Sequence, residues 1–305
     1  MFKLKVFLPS LQKHIFVKEL SYKFYRDLVK SLYVEDEIKT VEQFNLILEE
    51  IAPELISSEA TLLDKLAVFL QIREICVSPD LSLNCTCTTE KPFEYKINLS
   101  ETRELLNNIP TVLNLNYKDL KIEFNTFLKI SDEIILSKST NETEILASKI
   151  NKIKILQKTI NVNSFSLQEK INLLNELPYD HLNYIEKNVM LFYKELEKIV
   201  LIEIKSPFNE DVIFKLTGNM SNKDLNNFLK LLYTEDLNNV YRAFYNMVKH
   251  CKFSPEYVDR ISPAELQVYW SYWAEENNKK ENNDSTSMSD AMLPVQSSQS
   301  AEFGF

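Results

Sequence analysis

Pro79-Asp80, followed by Glu94-Tyr95-Lys96, is the grouping in this chain whose residue types best fit a reaction. Two carboxylates on neighbouring strands can hold a hard divalent cation, and a lysine beside them helps to activate the attacking water. Glu94 and Lys96 fall on one face of a strand at the two-residue period. This is the P-D…[DE]-x-K pattern of metal-dependent nucleases, but it is short and permissive, and Glu203–Lys205 repeats its second half. Cys76, Cys85 and Cys87 are a second candidate, for zinc. Cys85-Thr86-Cys87 lacks the spacing of structural zinc sites, and the nearest fourth ligands, His250 and Cys251, are far off in sequence. Free cysteines on a half-buried strand are the plainer reading. With only His14, His181 and His250, general-base chemistry has few actors, and no paired-histidine metal motif exists.

Tyr269-Trp270-Ser271-Tyr272-Trp273 carries a different chemistry, that of contact. It holds both tryptophans of the chain, and helical spacing puts Tyr269 with Trp273 and Val268 with Tyr272. Such a segment either packs a core or offers an aromatic docking surface. Tyr269, Trp270, Tyr272 and Trp273 are therefore the candidate interface.

Glycine excludes more than any other residue type. The 305 residues contain two, Gly218 and Gly304. Phosphate-cradling loops, dinucleotide fingerprints and nucleophile elbows all need glycines where the backbone turns or touches a ligand, so none of those motifs can occur. The expectation is no enzyme, no catalytic residue, no metal and no cofactor. The net charge of −9 argues against a nucleic-acid partner. No apolar run approaches the length of a membrane span, and no secretory h-region follows Met1, so no membrane association is expected either. Four cysteines do not make a secreted disulfide framework, which points to a cytoplasm.

The elements that would position these residues read as an α+β fold, predominantly α-helical, with short hairpins each followed by helices. Lys3–Leu8 with His14–Lys18, Leu81–Thr88 with Phe93–Leu99, and Val200–Lys205 with Asp211–Thr217 predict three hairpins; Leu120–Phe124 predicts a further strand. Ser21, Thr40 (a box with Gln43), Ser100, Ser166 (a box with Glu169), Ser221, Thr234 and Ser262-Pro263 predict helix starts. The chain divides into a lobe at 1–130, a polar connector at 131–165, a second lobe at 166–276 and a disordered tail at 277–305. Residues 21–36 and 221–236 align without a gap, with Ser, Lys, Lys, Leu, Tyr, Glu and Asp shared, which suggests an internal duplication.

Residues Leu8-Pro9-Ser10, Phe16–Lys23, Tyr25–Leu32, Leu70–Cys76 and the break at Leu177-Pro178 resemble the baseplate hub proteins of T-even-type contractile-tailed bacteriophages. The resemblance covers residues 1–200 as scattered hydrophobic signatures and carries no site residues across. It implies a non-enzymatic subunit of the tail baseplate hub, or a chaperone of its assembly absent from the mature particle. The implied partners are other baseplate or tail proteins, met in the host cytoplasm and kept in the virion if the subunit is permanent; no small-molecule substrate is implied.

Overall fold

The computed structural model describes residues 3–33, 36–56, 59–85, 92–136, 141–155, 158–162, 165–208, 212–281 and 299–301. The chain opens with an antiparallel hairpin of β1 (Lys3–Leu8) and β2 (Lys13–Lys18), which turns its Val6, Leu8, Ile15 and Val17 inward. α1 (Tyr22–Ser31) follows, capped by the Ser21 hydroxyl. α2 (Glu37–Ile51) starts earlier than its expected Thr40-Gln43 box. Asp36 caps it, accepting from the Ile38 amide at 3.0 Å, while the Thr40 hydroxyl donates to the Ser31 carbonyl at 3.1 Å. After α3 (Pro53–Ile56) comes α4 (Leu62–Cys76), in which 13 of 15 residues are buried. β3 (Asp80–Cys85) and β4 (Phe93–Asn98) form the second hairpin, and Asn98 rather than Ser100 caps α5 (Leu99–Asn107).

β5 (Val112–Tyr117) and β6 (Leu120–Asn125) lead through α6 (Glu133–Leu136) and α7 (Glu142–Ser148) to β7 (Ile150–Ile155) and β8 (Lys158–Asn161). These strands form one sheet in the order β5-β6-β7-β8. Residues 131–165 supply two strands and a helix to a second core, where Ile150, Ile153 and Val162 pack with Phe124, Leu174 and Ile185. Their weak periodicity has a physical cause: β7 buries only Ile150 and Ile153, and its lysines face solvent. α8 (Leu167–Asn175) carries the expected Ser166–Glu169 box, and α9 (Tyr179–Leu196) packs against β5 with Ile185 in this core.

The third hairpin, β9 (Val200–Lys205) and β10 (Val212–Thr217), precedes α10 (Asn222–Leu232), α11 (Leu237–Lys249), α12 (Pro255–Arg260) and α13 (Pro263–Glu281). Asp236, not Thr234, caps α11, and α13 runs past the expected end at residue 277. Gly218 lies where the chain leaves β10; a Cβ there would sit 3.0 Å from the Leu196 carbonyl oxygen. A short β11 (Gln299–Ala301) lies parallel to β3. The fold is α+β and predominantly helical. Its main core gathers both ends of the chain, with Leu28, Phe44 and Phe69 in one cluster with Phe228, Leu232 and Met247.

α4 runs through the middle of that cluster, so its polar side chains must find partners inside the protein. Asp64 accepts from the Ser10 amide at 2.8 Å and the Thr61 amide at 2.9 Å. Gln71 exchanges hydrogen bonds with the Phe7 backbone. Lys65 pairs with Glu133 at 2.7 Å. Arg73 donates to the carbonyls of Leu232 and Ser78 at 2.9 and 3.3 Å, and burial pulls its guanidinium down to about 10.

The aligned segments have the same local structure. Each follows a hairpin; Ser21 and Ser221 cap the first helix, and Asp36 and Asp236 cap the second. Tyr25, Leu28 and Val29 are buried as Leu225, Phe228 and Leu229 are, and Ile47 as Met247 is. The matched tyrosines differ. Tyr33 is 60% exposed and bridges the Glu235 carbonyl and the Leu237 amide, whereas Tyr233 is fully buried and donates to the Phe69 carbonyl at 2.9 Å. Tyr233→Phe should therefore lower unfolding stability by about 0.5–1.5 kcal/mol, because it removes a hydrogen bond made inside the core. Tyr33→Phe should cost less than about 0.5 kcal/mol, since water replaces the lost bond. Urea unfolding of the two variants checks the contrast.

Candidate interaction surface

α13 owes its start to a reciprocal cap: the Ser262 amide donates to the Glu265 carboxylate at 3.0 Å and the Glu265 amide donates to the Ser262 hydroxyl at 3.3 Å. Pro263 occupies the first helical position, where a missing N–H costs nothing. From that anchor the helix lays Leu266, Tyr269 and Trp270 against the main core. Tyr269 meets the Phe253 ring edge-on at 5.2 Å, and its hydroxyl lies 3.3 Å from that of Tyr257. Trp270 and Trp273 stack at 4.8 Å, and the His250 ring lies 5.3 Å from Trp273.

The four aromatic residues singled out in the sequence therefore divide. Tyr269, Trp270 and Trp273 form a half-buried platform, while Tyr272 stands 60% exposed with Val268 one turn before it. Helical spacing places Tyr241 beside Val240 and Phe244 on the apolar stripe of α11, but it is exposed, as is Tyr245 four residues on. Cations explain the exception. The Lys30 amine lies 5.4 Å from the Tyr241 ring and the Lys249 amine 5.1 Å from Tyr245, so each ring is covered by charge instead of core. Arg26 stacks on Phe244 at 4.9 Å while pairing with Asp259 at 3.0 Å, which ties α1 to α11 and α12. The repeated i, i+4 tyrosines were the signal for this face.

The nuclease candidate is not assembled. In the β3–β4 register Glu94 lies opposite Asn84 and Lys96 opposite Ser82, whereas Asp80 lies opposite Asn98. Four residues of strand separate Asp80 from the position facing Glu94, about 13 Å. The two carboxylates are at opposite ends of the hairpin and cannot share one cation. Sequence spacing alone does not fix that register. Cys76 and Cys85 are both buried, and burial pushes the Cys76 thiol up to about 11, away from the thiolate that zinc requires. Cys87 lies outside the described residues. Among the described residues no cluster of three or more His, Cys, Asp or Glu side chains is placed to hold a metal. No described helix is long and apolar enough to cross a membrane.

One titrating group stands out at the edge of the second core. Burial draws the Lys149 amine down to about 8 from the ordinary 10.5, and its hydrogen bond is to the Tyr193 hydroxyl. Between those values the folded chain binds fewer protons than the unfolded chain, so this group makes stability rise with pH. Relative to Lys149→Met, the native chain should gain stability from pH 8 to pH 10. Denaturant midpoints of the two proteins across that range check the sign.

Residues 1–202 match the family described as T4 bacteriophage base plate protein. No curated protein and no solved structure matches the chain. The match spans the first hairpin, the buried helix α4 and the whole second core, and it ends within β9. This chain belongs to the T4 bacteriophage base plate protein family.

Proposed function

We propose that the chain is a non-enzymatic component of the central hub of the tail baseplate, working through protein–protein contacts. The observation that carries this reading is the family match over residues 1–202, joined to an exposed aromatic face on α13. A base plate protein acts against other tail proteins, and contact needs no catalytic group. The separation of Asp80 from Glu94 along the hairpin weighs against the nuclease alternative.

The contact surface in this reading centres on Tyr272 and Val268, with the Trp270–Trp273 stack as its rigid base. Rigid aromatic side chains bury much area at small entropic cost, which is why they dominate interface energies. The exposed pair is also the part that can change without loss of the core, because neither residue belongs to it.

The test is capture of the tagged chain from an infected host, with mass spectrometry of the bound proteins and of purified particles. Baseplate proteins should co-purify, and the chain should be present in particles if it is a permanent subunit. Presence in lysate complexes but absence from particles would replace the subunit reading with that of an assembly chaperone. Capture of no tail protein would overturn both. A Val268→Asp/Tyr272→Ala variant should weaken capture at least tenfold, corresponding to about 1.4 kcal/mol, with an unchanged melting temperature.

A further inference from the structure

Asn45 on α2, Lys65 on α4 and Glu133 at the start of α6 meet at the edge of the main core, the last two buried and Asn45 half-buried. The Lys65 amine donates to Glu133 Oε2 at 2.7 Å, and the Asn45 amide nitrogen donates to the same oxygen at 3.2 Å. The Lys65 and Glu133 side chains are each 1% exposed. The Asn45 amide oxygen is buried and has no hydrogen-bond partner. Two nitrogens that share one acceptor at these distances lie within about 6 Å of each other.

The surrounding chain holds the three residues in place. The Leu62 amide donates to the Leu128 carbonyl at 2.9 Å and the Ile130 amide to the Ala60 carbonyl at 3.0 Å, with a bridge between Thr61 and Lys129. This pairing fixes the segment that presents Glu133 to Lys65. Phe44 meets Phe69 edge-on at 5.0 Å, which fixes α2 against α4 beside them. Burial draws the Lys65 amine below the ordinary lysine range, against the attraction of Glu133.

We propose that Lys65 and Asn45 become joined by an intramolecular isopeptide bond, with Glu133 carrying the protons. In this apolar setting, transfer of the ammonium proton from Lys65 to Glu133 leaves an uncharged amine and an uncharged acid. Rotation of the Asn45 amide turns its orphaned oxygen toward the protonated carboxyl, which polarises the carbonyl. The Nζ lone pair of Lys65 then attacks Asn45 Cγ. The Nζ–Cγ bond forms, the Cγ–Nδ2 bond breaks, and the proton given up by Nζ passes through Glu133 to the leaving nitrogen. One ammonia departs, and neither an oxidant nor a reductant is needed. The product clamps α2 to α4 covalently. A purely structural ion pair would need only Lys65 and Glu133; the shared oxygen and the unpartnered amide oxygen of Asn45 are what the reaction adds.

Mass spectrometry of the purified full-length chain tests this. The native protein should be lighter than its sequence by one ammonia. Trypsin should fail to cut after Lys65, leaving residues 40–73 in one piece, and cleavage after glutamate should leave the Asn45 and Lys65 peptides linked. Asn45→Ala, which keeps the Lys65–Glu133 pair and so the fold, should restore the full mass; Asn45→Asp should lose water instead of ammonia. A native chain of full sequence mass with a free Lys65 amine would overturn the proposal. So would a mass deficit that persists in Asn45→Ala.

Discussion

A helix buried along most of its length forces the rest of this fold into place. α4 opens to solvent only at Glu74 and Ile75 near its end, yet it buries Asp64, Lys65, Gln71 and Arg73. A buried polar group without a partner costs about 1–3 kcal/mol, and a charge costs more, so each of these residues requires a distant segment to come to it. Asp64 and Gln71 hold the first hairpin through Ser10 and Phe7. Lys65 holds the start of α6 through Glu133. Arg73 holds the end of α10 through Leu232, 159 residues away. The order in which elements surround α4 follows from which polar residue stands at which turn of it.

The two aligned hairpin–helix–helix units show how one local plan serves two environments. Both use a hairpin, a serine-capped helix and an aspartate-capped helix, and both bury the same positions of the first helix. Their surroundings differ. The Tyr233 ring lies edge-on to Tyr25, Phe44 and Phe69 at about 6 Å, inside the core around α4, while Tyr33 reaches across the surface to the Glu235–Leu237 corner of the other copy. The second copy also presents Tyr241 and Tyr245 outward, where the first has Val41 buried and Asn45 turned to Glu133. A common scaffold thus carries a polar cluster in one copy and an aromatic surface in the other.

Local chemistry was legible in the sequence wherever a single residue decides it. Serine caps at 21, 166, 221 and 262 mark true helix starts, and every hairpin strand except β3, which ends at Cys85, falls within one residue of its expected ends. Errors came where two signals compete or where the signal is tertiary. Asp36 and Asp236 displaced threonines because a carboxylate at the N-cap accepts backbone N–H bonds more strongly. β5, β7 and β8 were missed since half-exposed strands of a small sheet alternate poorly. The aromatic run on α13 was visible as a pattern, but not which ring stays outside. The Asn45–Lys65–Glu133 cluster was invisible, as Glu133 is 88 residues from Asn45 and nothing local joins them.

Polar residues on a buried helix are poor stabilisers. The desolvation of a pair such as Lys65 and Glu133 offsets most of its attraction, and apolar side chains of similar volume often serve as well or better. What an apolar helix lacks is discrimination, because one leucine-lined groove accepts another segment at several registers. Each buried polar side chain of α4 selects its own partners: the Ser10 and Thr61 amides for Asp64, a backbone amide and carbonyl together for Gln71, a carboxylate for Lys65, two carbonyls for Arg73. A segment shifted by one residue would leave a buried charge or donor unpaired, a penalty far larger than the difference between two apolar packings. With almost no glycine to set sharp turns, the chain fixes its topology through these side chains instead.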